Sequence, residues 1–196
     1  NIKGRPKSDR ADSVWICRLH SYGFLRASFI PPPTILNLRN LCSTRDKLIV
    51  QAGSAVQRMN NELVKMNIRL DNVVSDINGK SGVLVTEAII RGERSPEALY
   101  DLLATRIQNK GKSKIIPYLT GRCDEFSIFN LETWHILHKS IEQNIERINE
   151  KIYQILQSLP KKASAADLPP AKKNYSESYL DFPYPLRPLF YEIFGV

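Results

Sequence analysis

The sequence predicts a mainly α protein, and three observations carry that reading. Two stretches, 34–67 and 126–159, place apolar residues at alternating steps of three and four, the spacing that puts them on one side of a helix. Prolines mark one end of each stretch, with Pro31, Pro32 and Pro33 before the first and Pro160 after the second. The remaining chain is broken by glycine, proline and asparagine into segments too short for long strands.

Residues 1–8 form a basic lead containing Gly4 and Pro6. Ser8 or Asp9 then offers an N-cap. Val14, Ile16, Cys17 and Leu19 supply an apolar helical face as far as Tyr22, with Gly23 as the stop. This pattern predicts a buried Cys17. Leu25 to Ile30 is expected to form a short strand or extended segment, ended by the three prolines.

The first long helix is expected from Thr34 to about Asn67. Leu38, Leu41, Arg45, Leu48, Ala52, Val56, Met59, Leu63 and Met66 make its seam, broken only by Arg45 and weakened at Gly53. In the broken middle, Ser75–Gly82 reads as a turn leading into a helix over Val83–Arg91. Ser95 caps another helix with Pro96 at its first position, and Ile115–Leu119 is one further short helix. The second long helix, Phe126–Leu159, keeps an unbroken rhythm through Leu131, Trp134, His138, Ile141, Ile145, Ile148, Ile152, Ile155 and Leu159. Such a rod is about 50 Å long at ~1.5 Å per residue and reads as a coiled coil. Residues 161–173 read as a flexible linker. Residues 174–196 form a Pro- and aromatic-rich segment that expects a packing neighbour.

The 196-residue chain carries a formal charge of +8, which favours a polyanionic partner. Six basic and two acidic residues lie in 1–30, five and two in 31–67, whereas 125–160 carries three and five. Positive charge therefore gathers at the N-terminal end. Cys17, Cys42 and Cys123 have neither metal-knuckle nor disulfide-framework spacing, and a reducing cytosol is expected. No apolar run reaches the ~18–20 residues of a membrane span. The chain opens on Asn1 without Met and stops in an apolar stretch, which predicts a piece of something longer.

Asp9 and Asp12 are the leading candidates for chemistry. At i and i+3 on a helix their Cβ atoms lie ~5–6 Å apart, a spacing that lets two carboxylates share one Mg²⁺ or flank a pair. The competing reading is a capping box at a helix start. Lys3, Arg5, Lys7 and Arg10 surround the pair with positive charge, as a phosphate-handling site requires. Arg39 and Arg45 extend the basic candidates onto the first long helix. Gly79-Lys80-Ser81 resembles the end of a phosphate-binding loop, but Val74 stands where such a loop needs glycine. His135 and His138 lack the further ligands of a zinc site. Aromatics are not interleaved with the basic residues as an RNA-stacking module needs.

Lys7-Ser8-Asp9-x-x-Asp12-Ser13, Leu19-x-x-x-Gly23-x-Leu25 and Phe29-x-Pro31 resemble the DEDD-type transposases of bacterial insertion sequences. Leu38-Arg39-x-Leu41-x-x-x-Arg45, Ser75-Asp76-Ile77-x-Gly79-x-Ser81-Gly82 and Gly92-Glu93-Arg94-x-Pro96 continue the resemblance in order across roughly residues 4–160. It implies the C-terminal part of an RNase H-like (RuvC-like) domain over 1–125, a coiled-coil helix over 126–160, and a linker over 161–196 leading to a C-terminal transposase domain. It also implies a recombinase that works on DNA with a structured guide RNA and Mg²⁺ in the bacterial cytoplasm, assembled as a homo-oligomer through the coiled coil. Asp9 and Asp12 match the third and fourth acidic ligands of that family. The first Asp and the Glu would precede Asn1, and the serine nucleophile would follow Val196, so this chain alone is expected to be inactive. The alternative is a non-enzymatic coiled-coil adaptor or nucleic-acid-binding scaffold.

Overall fold

The computed structural model describes residues 8–26, 28–169 and 182–195, and among these the chain is helical with no strand. It divides into two compact units, Asn1–Leu36 and Asn37–Val196.

In the first unit, helix α1 spans Asp9–Ser21. The Ser8 hydroxyl accepts from Ala11 N at 3.2 Å and starts it; Gly23, at φ 72°, stops it in a conformation that costs glycine little. No residue of α1 is buried, and Val14 and Ile16 are exposed. Cys17 is exposed as well, contrary to expectation, since the apolar side of α1 is not buried. The expected strand over Leu25–Ile30 is also absent among its described residues. Phe29 and Ile30 stand exposed, and among the described residues no strand pairs with them.

Helix α2 runs Pro33–Lys65, starting at the last of the three prolines, where a missing N–H costs nothing. Leu63, Met66 and Ile68 bury its end. The chain then passes through a short 3₁₀ turn at Leu70–Asn72 into α3 (Lys80–Ile90), α4 (Pro96–Asp101), α5 (Thr105–Gln108) and α6 (Lys112–Leu119). Ser95 caps α4 through Ala98 N with Pro96 in the first turn, as its sequence predicts. Asp124 caps α7 (Glu125–Ser158) by accepting from Ser127 N at 2.9 Å, which holds its carboxyl below the usual range.

Residues of α2, α3, α4, α6 and α7, among them Met59, Val85, Leu99, Ile115 and Leu131, share one core. A second forms where α8 (Leu186–Phe194) packs Leu186, Leu189 and Ile193 on Ile152 and Leu156 of α7, with Leu38 and Leu41 of α2 beside them. Arg58 lies over the Trp134 ring at 4.4 Å, while Arg45 Nε donates to Asn149 Oδ1 at 2.7 Å. α2 and α7 therefore run antiparallel, their seams turned towards each other. The 161–169 part of the expected flexible linker is instead tied down. Lys162 N and Ala163 N donate to the Glu192 carbonyl, and Lys161 Nζ pairs with the Glu192 carboxylate at 2.7 Å. The rest of that linker and residues 174–181 lie outside the described residues.

Among the described residues a few buried polar atoms lack a hydrogen-bond partner, and one of them sits in the heart of the core. Thr86, on α3, is fully buried, and its Oγ1 has no hydrogen bond. Thr86→Val keeps the shape and removes the orphaned hydroxyl, so we expect a stabilisation of about 1 kcal/mol in urea denaturation.

Candidate functional site

Asp9 and Asp12 stand at the first and fourth positions of α1, one turn apart and both exposed. The helix start is already satisfied by Ser8, and the third position is Ala11, so the reciprocal Glu or Gln of a capping box is missing. The carboxylates gain from the helix dipole there. The capping hydrogen bond itself does not depend on Asp9. Arg10 lies exposed between them; Lys7 falls outside the described residues. The two carboxylates suit Mg²⁺ as hard oxygen donors but supply only part of its octahedral shell. Among the described residues no group of three or more His, Cys, Asp and Glu could hold a metal ion.

The other two basic candidates part company. Arg39 is exposed on α2. Arg45 is 9% exposed, with its guanidinium bonded to Asn149 and lying over the Phe182 ring at 5.6 Å. Its break in the α2 seam meets a polar residue across the helix pair, where a charge has to be hydrogen-bonded to be buried.

The two histidines also separate. His135 Nε2 lies 3.3 Å from Glu87 Oε1, joining α7 to α3, and its Nδ1 is buried without a partner. Lys139 donates to the same Glu87 oxygen at 2.6 Å, and this bond above all lowers the Glu87 pKa. A lowered carboxylate stabilises the fold above its unfolded-state range and loses that contribution as pH falls. His138 borders a feature that periodicity did not reveal. A cleft of about 970 Å³ opens between α2 and α7, beside Ala52 and Gly53, too small to fill the gap. Arg45, Asn149 and Phe182 line it, and Asp76, Glu142 and Glu146 add carboxylates. The Gly79-Lys80-Ser81 sequence simply begins α3, with Gly79 at the N-cap and the Ser81 hydroxyl accepting from Ala104 N.

Compared with models of known protein families, with curated proteins and with solved structures, the chain matches none.

Proposed function

We propose that this chain is part of a DEDD-type insertion-sequence transposase, in which Asp9 and Asp12 supply two of the acidic ligands of a Mg²⁺ site. The observation that carries the reading is the exposed carboxylate pair at a helix start capped by another residue, with Arg10 exposed between them. Bound there with further ligands, Mg²⁺ would orient a phosphodiester for in-line attack. Arg10 and Arg39 would hold backbone phosphates of DNA and of a structured guide RNA. The exposed Val14 and Ile16 of α1 offer apolar surface for the sheet of an RNase H-like domain to cover. Much of the α7 seam is buried within the chain, so self-association in this reading falls to the exposed Phe126, Phe129, Ile136 and Leu137 of the same helix. The setting implied is the bacterial cytoplasm.

Affinity for duplex DNA is expected to fall steeply between about 50 and 200 mM salt, with Arg10→Ala and Arg39→Ala each lowering the log–log slope by about one. A flat salt response sinks this reading and favours the non-enzymatic adaptor, which needs the apolar stripe of α7 but no phosphate contact.

A further inference from the structure

We propose that the cleft between α2 and α7 binds a linear aliphatic polyamine. It is a long cleft open to solvent along one side. Along α7 its lining runs from His138 to Asn149, and along α2 from Arg45 to Gln57, so it extends about 16 Å at the rise of a helix. The walls mix two chemistries. Ile49, Val56 and Ile145 give an apolar track, whereas Glu142 and Glu146 are exposed carboxylates on successive turns. Residues at this spacing stand about 5–6 Å apart at Cβ, close to the separation of ammonium groups joined by three or four methylenes.

His138 adds a second, independent indication. It is 3% exposed and borders the cleft, and among the described residues its polar contact is Glu142 Oε2, 3.6 Å from Nδ1, beyond hydrogen-bond distance. A buried imidazole left this way has a lone pair for an incoming N–H donor. Asn78 Nδ2 donates to the other Glu142 oxygen at 3.1 Å and fixes the carboxylate at the rim. With Asp76 the lining holds three carboxylates, and its one permanent cation, Arg45, sits at one end bonded to Asn149. A chain of methylenes carrying ammonium groups matches both the apolar track and the charged rim. A flat anion or a nucleotide matches neither.

Calorimetric titration of the chain with spermidine at about 150 mM salt, where long-range surface attraction is screened, is expected to give saturable one-to-one binding. The His138 imidazole proton resonances should move along the same curve. Glu142→Gln combined with Glu146→Gln should weaken binding at least about tenfold, and Glu132→Gln, an exposed change elsewhere on α7, should not. Gly53→Leu provides a steric arm: a Cβ at Gly53 meets no atom within 4 Å, so the variant is expected to fold while occupying the cleft and weakening spermidine binding. The proposal is overturned if affinity is unchanged in the double variant or in Gly53→Leu. It is equally overturned if Mg²⁺ displaces spermidine as well as a second polyamine does, the mark of an acidic surface attracting any cation.

Discussion

Gly82→Ala is expected to cost about 3 kcal/mol or more, although alanine is the better helix former and the site lies inside α3. A Cβ at Gly82 would stand 2.1 Å from the Ile77 carbonyl oxygen and 2.6 Å from its carbon. Neither atom can yield cheaply, since both belong to the backbone of a turn held at several points. Asn78 N donates to Asp76 Oδ1 at 2.9 Å, Gly79 N to the Asp76 carbonyl at 3.1 Å, and the Ser81 hydroxyl accepts from Ala104 N. To admit one methyl group, the turn or the first turn of α3 must move, and Val85 and Ile89 of the core move with it. Gly121→Ala should behave similarly, because its Cβ would lie 2.3 Å from the Met66 carbonyl oxygen, the group that accepts from Arg122 N. Gly53→Ala is the internal control. It too sits within a helix, but a Cβ there meets nothing within 4 Å, so a gain of about 0.5–1 kcal/mol is expected. Urea denaturation of the three variants separates close approach from helix propensity. Gly82→Ala losing under about 1 kcal/mol would refute the packing of this turn.

These glycines mark the limit of what the sequence makes legible. The two long helices were readable because every seam position predicted for α2 and α7 is at least half-buried, from Leu38 to Met66 and from Leu131 to Leu159. Local chemistry, such as the Ser95-Pro96 start of α4, was readable for the same reason: cause and effect lie within one turn. What the seams face was not readable. The buried polar residues His135 and Asn149 find Glu87 and Arg45 at separations of 48 and 104 residues, and no spacing rule joins such pairs. Gly121 looks like any turn glycine until Met66 is brought against it. The cleft has the same origin, since Ala52 and Gly53 read as a weak place in a seam and become an opening only when α7 lies opposite. The carboxylate pair stands between these cases. Its spacing and exposure follow from sequence alone, whereas its proposed ligand role rests on the resemblance of ordered motifs.

That role makes Asp9→Asn and Asp12→Asn the changes with the largest expected effect on activity. In the full-length protein, if it is the transposase proposed above, either one should lower strand cleavage by about 10²–10³-fold or more, the scale at which loss of one preorganised charge contact acts. Stability should move much less. Both side chains are exposed, and the favourable helix-dipole interaction each forfeits is worth about 0.3–1 kcal/mol. Ser8→Ala reverses the pattern: it removes the hydroxyl that accepts from Ala11 N, costs about 1 kcal/mol of helix stability, and leaves both carboxylates in place. A ligand pair therefore predicts cleavage lost in the Asn variants at nearly unchanged melting, with cleavage largely kept in Ser8→Ala. If the pair served only the helix start, all three variants would lose cleavage in proportion to their melting, and that proportionality would rule out metal ligation by Asp9 and Asp12.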